Sequence, residues 1–238
     1  MRAAAPLAVS TAAVALGLGA AGCSIKDDNA NAVVGKQLFV QKCGSCHVLG
    51  RAGTKGVTGP NLDEAFAQSR RDGLGESGIR GLVRKQIGYP SRPGQQGTGV
   101  MPAGLVKGDK ARDVAAYVAS VVSKPGKDSG LLATAVKAAG SGKPAVAKGG
   151  VLSIPADPNG QLQFVNATAT APAGTISIEM PNTSGVAHNI AIDGVGKGAI
   201  VPKGVSKFSG TLKPGKYTYY CQVPGHLQAG MKGTLTVK

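Results

Sequence analysis

Apolar positions change their period several times along this chain of 238 residues. Behind Arg2, residues 3–22 are an almost unbroken run of small and apolar side chains. Residues 31–46 then set Val34, Leu38 and Phe39 at helical spacing, which predicts a first helix leading into Cys43. Residues 50–61 are rich in turn formers. Residues 75–87 predict a modest helix with Ile79, Leu82, Val83 and Ile87 on one side. After a loop over 88–108, residues 109–122 predict an amphipathic helix, with Asp109 as its cap and Val114, Tyr117, Val118 and Val121 as its stripe. Residues 123–150 are Ala, Gly, Lys and Pro with few large side chains, the composition of a linker, with a short helical turn within 131–139. Beyond Val151 the period becomes two. The stretches 161–171, 175–182, 187–193, 206–212, 216–221 and 232–237 alternate between Pro, Gly and Asn turns, which predicts a small β-sandwich.

Charge narrows the partners. The net charge is +15, from 27 basic and 12 acidic side chains. Both halves share it, with 15 basic against 8 acidic groups in 24–124 and 7 against 3 in 151–238. The charges are scattered, aromatic residues are few and the N-terminus looks like an export signal, so a nucleic-acid partner is not expected. An acidic partner surface suits both halves.

The N-terminal run reads as a secretory signal rather than a permanent span. Its Ala, Gly and Ser, ending at Gly22-Cys23, resemble a bacterial lipoprotein signal, although Ala20 stands where Leu is more typical. That resemblance implies a signal peptide over 1–22, acylation of Cys23 and a tether over 23–30. Ordinary cleavage, leaving Cys23 as a free thiol, is the alternative.

The chain holds four Cys, three His and four Met, and these few residues carry the chemistry. Cys43-Gly44-Ser45-Cys46-His47 is CxxCH: two thiols add to haem vinyl groups and the adjacent imidazole His47 becomes an axial iron ligand. A thioredoxin-like CxxC lacks its context, because no long strand precedes the pair. Within 24–124, Met101 is the remaining soft or nitrogenous candidate for the other axial position, apart from lysines. His/Met ligation leaves no open position on the iron.

Cys221, His226 and Met231 follow one another at intervals of five, and His188 is the one imidazole left to join them. Two imidazoles, one thiolate and a weak axial thioether form a type 1 copper site, with structural zinc as the alternative. A binuclear copper centre needs a second thiolate, and a catalytic copper needs further imidazoles; residues 151–238 contain neither.

Residues 31–122 resemble a class I cytochrome c domain, through GKQLF at 35–39, CGSCH, GPNL at 59–62, VMP at 100–102 and AAYVASV at 115–121. The resemblance implies an all-α fold whose first and last helices cross at Gly35 and Phe39 against Tyr117 and Val118. It also implies that Pro60 supports His47 through its carbonyl. Residues 187–192 and 217–237 resemble a plastocyanin-like cupredoxin, an all-β Greek-key sandwich. Two more residues separate Cys221 from His226 than in plant plastocyanins, which is closer to the auracyanin type. This resemblance implies that Asn189 ties the histidine strand to the cysteine loop. It also implies that electrons pass at the edge of His226, within a patch of Pro224, Leu227 and Ala229.

The expected organisation is a cytochrome c domain over 31–123, a linker over 124–150 and a cupredoxin domain over 151–238. All three His and all four Cys are then assigned, and none is left for acid–base work. The expected function is a non-catalytic, lipid-anchored electron carrier outside the cytoplasm, with one haem c and one copper, serving redox proteins of the respiratory chain. The alternatives are a dedicated donor to a denitrification or other periplasmic reductase, a copper-delivery protein, or a catalytic oxidoreductase. No small-molecule substrate is expected.

Overall fold

The computed structural model describes residues 29–90, 100–136 and 142–238. The signal-like segment and Cys23 lie outside the described residues. The first part is helical: α1 (Ala32–Lys42), α2 (Leu62–Arg71), α3 (Glu76–Gly88) and α4 (Gly108–Val121), with a small ladder of β1 (Val48–Leu49) and β2 (Thr54–Lys55) after the CxxCH turn. Asn31 caps α1 by accepting from the amides of Val33 and Val34.

α1 and α4 cross at Gly35. A side chain there would begin 2.1 Å from the Asp113 carbonyl oxygen, so only glycine permits the approach. One turn on, the rings of Phe39 and Tyr117 pack at 6.4 Å between centroids. The stripe expected on α4 is buried throughout. That on α1 is rotated: Gly35, Lys36, Phe39 and Val40 are buried, while Val34 and Leu38 are only half-buried.

Two sequence expectations need correction here, and one helix was not foreseen. Asp109 does not cap α4; the cap position is Lys107, and Asp109 lies in the first turn, paired with Arg112. α2 had no apolar run to reveal it, although Asn61 caps it and Glu64, three residues on, accepts from the Asn61 side chain at 2.9 Å. The described parts of 124–150, residues 124–136 and 142–150, are anchored rather than free. Asp128, its side chain 2% exposed, accepts from Lys36 Nζ, Arg51 Nε and Tyr117 Oη, each at 2.9 Å. Lys36 also donates to the Leu132 carbonyl at 2.7 Å, next to the short α5 (Leu131–Thr134). A single buried carboxylate with three donors thus fastens the segment to the helical domain. Asp128→Ala is expected to destabilise that domain by about 3 kcal/mol, because Lys36 is left buried without its counter-charge. A urea titration followed at haem absorption measures it.

The second part is a two-sheet β-sandwich. Its strands are β3 (Ala145–Val146), β4 (Val151–Ser153), β5 (Thr168–Ala171), β6 (Gly174–Asn182), β7 (Ala191–Ile192), β8 (Gly196–Lys197), β9 (Gly204–Leu212), β10 (Gly215–Tyr220) and β11 (Lys232–Val237). One sheet runs β3-β5-β11-β10-β7-β8 and the other β4-β6-β9. Alternate side chains such as Ile176, Ile178 and Met180 of β6 and Leu235 and Val237 of β11 fill the space between them. Residues 161–167 do not form the strand that their alternation suggested: Phe164 makes one isolated bridge to Ala156, and the strand proper is Thr168–Ala171, parallel to β11. β3 extends this sheet by pairing with β5, so the far end of the supposed linker belongs to the sandwich.

Candidate functional site

The end of α1 builds the first site. The amides of Cys43 and Gly44 both donate to the Phe39 carbonyl, and those of Cys46 and His47 both donate to Cys43. The two thiols and the imidazole are therefore held on one tight turn. Three glycines let other backbone close over it. A side chain on Gly44 would start 2.5 Å from Thr54 Cγ2, one on Gly56 2.5 Å from the Cys46 backbone, and one on Gly59 2.6 Å from His47 Cε1. Thr54 adds a hydrogen bond from its hydroxyl to the His47 carbonyl at 2.9 Å.

His47 Nδ1 lies 2.9 Å from the Pro60 carbonyl oxygen. A carbonyl only accepts, so Nδ1 carries the proton and Nε2 keeps its lone pair for a metal. Cys43 is buried, and burial together with the neighbouring Cys46 pushes its thiol up to about 12. Beside the turn opens a cavity of 530 Å³, lined by Cys43, Cys46 and His47 with Phe66, Leu82 and Met101 among its other walls. Two thiols, a lone pair on Nε2, a thioether and apolar walls fit a covalently attached haem.

The second site is assembled from two places in the sandwich. His188 bridges Val201 just ahead of β7; Cys221 follows β10, and His226 and Met231 follow on the loop into β11. All four are buried. One ligand atom from each of His188, Cys221 and His226 lies within 4.8 Å of the others, the one such cluster among the described residues. The two Nδ1 atoms face each other at 3.1 Å, and Cys221 Sγ lies 3.5 Å from His226 Nδ1. The Met231 amide donates to the His226 carbonyl at 2.9 Å and the Cys221 amide to the Met231 carbonyl at 3.1 Å, which fixes the loop to the ligand strand. Asn189 sews the two places together: its Oδ1 accepts from the Gln222 amide at 2.8 Å, and its Nδ2 donates to Gln222 Oε1 and the Gly198 carbonyl.

The electrostatics favour a metal ion. Burial, and then the neighbouring His226, lowers His188 to about 3; burial lowers His226 to about 4. Both imidazoles are therefore neutral ligands near pH 7. Burial pushes the Cys221 thiol up, while the amides of Asn189 and Val223 favour its thiolate. Two nitrogens facing each other at hydrogen-bond distance beside a sulfur, with no carboxylate in the cluster, are a soft donor set that fits copper better than a hard cation.

A pH dependence follows for the metal-free chain. The folded pKa of both histidines lies below the ordinary 6.5, so the unfolded chain takes up protons first as pH falls. Stability of the metal-free β-domain is expected to fall steadily from pH 6.5 toward pH 4. Urea midpoints at pH 7 and pH 5 measure this, and equal midpoints would contradict it.

Sequence reasoning missed Thr54, Gln222 and Asp128, and it read Gly59 only as part of GPNL, without its packing on His47. The GPN turn was the one signal for Gly59; the other three act through long-range contacts. Of the supposed docking patch, Pro224 and Leu227 are exposed, but Ala229 is buried. Met180 is a core residue of the sandwich.

Two protein families match. Residues 32–121 match the family "Cytochrome c", and residues 196–238 match "Copper binding proteins, plastocyanin/azurin family". Among solved structures, auracyanin B is 25% identical over 42% of this chain and 96% of its own, with a TM-score of 0.33. An auracyanin from Roseiflexus castenholzii is 24% identical over 41% and 99%, with a TM-score of 0.33. Rusticyanin, as its Met148Gln mutant, is 25% identical over 41% and 84%, with a TM-score of 0.35. The haem c motif lies within the first match, and two of the three residues of the type 1 copper-like cluster, Cys221 and His226, lie within the second. The chain is a cytochrome-c-like helical domain fused to a cupredoxin-like β-domain, an architecture for moving single electrons between redox partners.

Proposed function

We propose that this protein is an extracytoplasmic, membrane-tethered carrier that shuttles single electrons between components of a respiratory chain. In this reading the two domains have their cores in 31–123 and 151–238, with 124–136 fastened to the first and 142–150 to the second. Cys43 and Cys46 attach haem, and His47 and Met101 are its axial ligands. His188, Cys221, His226 and Met231 hold copper. Each group supplies a reversible one-electron change at a site already filled with ligands.

The observation that carries the reading is that this chain's own side chains supply both donor sets: Cys43, Cys46, His47 and Met101 line one cavity, and ligand atoms of His188, Cys221 and His226 lie within 4.8 Å of one another. Pro60 holds His47 in the tautomer that presents Nε2. Asn189 and the hydrogen-bonded 221–231 loop fix the ligands of the other site, which keeps rearrangement small when charge changes. No histidine is left to move a proton, so the chemistry stops at electron exchange. The lipoprotein-like signal supports a tether at Cys23, and multiple acyl chains make such a tether firm. No helix among the described residues is long and apolar enough to cross a membrane. The basic character of both domains supports partners with acidic docking surfaces.

The test uses the holoprotein with respiratory membranes. Quinol-driven reduction of its haem, and reoxidation through a terminal oxidase, support the respiratory role. Failure of both, with rapid oxidation by a soluble periplasmic reductase, would replace it by a dedicated donor. Mass spectrometry of the membrane-purified chain should find an acylated N-terminal Cys23, and an unmodified one would remove the anchor.

A further inference from the structure

The two domains meet at their metal loops. On Gly225, the residue before His226, a side chain would begin 2.9 Å from Val57 Cγ2 and 3.9 Å from Thr58 Oγ1. Gly225 has φ +83°, a conformation that keeps side chains out of this approach. A second contact lies beside it, where a side chain on Gly160 would begin 3.3 Å from the Gln41 carbonyl oxygen at the end of α1. Residues of both domains also line a cleft of 230 Å³: Gly44, Thr54 and Lys55 of the helical domain and Gln161, Gln163 and Gly230 of the sandwich.

We propose that this interface is an internal electron-exchange junction, so that the chain equilibrates one electron between its own two centres. The proposal rests on the carrier reading above. The connection is short in both covalent and contact terms. His226 is bonded to Gly225; a Cβ on Gly225 would press on Val57 and come within 3.9 Å of Thr58; Thr58 is bonded to Gly59; and Gly59 packs on the His47 ring and donates to the Cys46 carbonyl at 2.8 Å. One electron leaves one centre and arrives at the other, with no atom or proton transferred.

The tether suits this role. Gln37 Nε2 donates to the Ala135 carbonyl on the helical side, and Asn166 Nδ2 donates to the Lys143 carbonyl on the sandwich side. The chain between those anchors reaches no more than about 30 Å when fully extended. It keeps the domains at an effective concentration of roughly millimolar. The junction itself is small and contains apolar Val57, which is 55% exposed and so not required for folding. Both domains are basic, so salt does not weaken this junction, whereas it does weaken docking to an acidic external partner.

Laser-flash reduction of the holoprotein by a flavin, followed at haem and copper absorption, tests the junction. A re-equilibration phase independent of protein concentration is expected. In Val57→Asp, which places a carboxylate in the contact, that phase should slow by about tenfold or more, with Val57→Ile retaining it. Spectra and potentials of both centres should be unchanged in each variant. Hydrogen exchange gives a readout apart from electron transfer: amides in 53–58 and 159–163 should be protected in the full chain and lose protection in Val57→Asp. A rate proportional to protein concentration, or a rate and exchange pattern indifferent to Val57→Asp, would overturn the junction while leaving two titrating centres. A chain that fails to load either centre would instead overturn the carrier reading and the junction with it.

Discussion

Cys221→Ser is expected to abolish the intense blue absorption of the copper centre and leave the haem spectrum untouched. Cys221 is buried between His188 and His226 and supplies the one sulfur that comes within 3.5 Å of an imidazole nitrogen there. The substitution is nearly isosteric, and a hydroxyl can still accept from the amides that face the thiol, so the sandwich should remain folded. What is lost is the covalent, soft ligand. Copper affinity should fall by at least about a hundredfold, the upper end of what is lost when only a residue behind a ligand is removed. Copper EPR of the variant should show an ordinary, non-blue signal or none. A blue signal that survived would place the thiolate elsewhere and defeat the assignment of Cys221.

Gly35→Val is expected to cause a large loss of stability, confined to the helical domain. The new side chain would start 2.1 Å from the Asp113 carbonyl oxygen and 2.9 Å from Tyr117 Cβ. The first of these is backbone in the middle of α4, which cannot turn aside as a side chain can. α1 and α4 must separate, and their separation disturbs the Phe39–Tyr117 contact and the Asp128 cluster together. Overpacking of this kind costs about 3 kcal/mol. In a domain of this size the melting temperature should drop by about 12–24 °C. Calorimetry should show the helical transition falling and the sandwich transition staying in place. An unmoved helical transition would mean that the helices do not cross at Gly35.

How much of this was legible in the sequence depends on how local each feature is. Cys43, Cys46 and His47 sit within five residues, and Cys221, His226 and Met231 on one loop, so their chemistry could be read from spacing alone. His188 lies on another strand, but the scarcity of histidine singled it out. Periodicity found α4 because Val114, Tyr117, Val118 and Val121 form an uninterrupted stripe. It failed for α2, which buries no residue and is marked only by its Asn61 cap and its end charges. It failed again for 124–150, where small residues carry no period and the ordering comes from Asp128 meeting Lys36, Arg51 and Tyr117. Lys36 itself sits where an apolar stripe would be expected, because its partner is distant in sequence. The short β3, β4 and β8 owe their existence to neighbours rather than to their own alternation. The contact of Gly225 with Val57 joins residues far apart in the chain, and neither belongs to a motif that announces it.

The most direct measurement is an anaerobic redox titration of the purified holoprotein, followed by visible absorption and copper EPR together. Two separate one-electron transitions are predicted, one from low-spin haem and one from a blue copper signal, and their order would show which centre is the downhill acceptor. A copper signal that is absent at full metal loading, or of the ordinary non-blue type, would contradict the two-centre carrier and leave a haem protein alone.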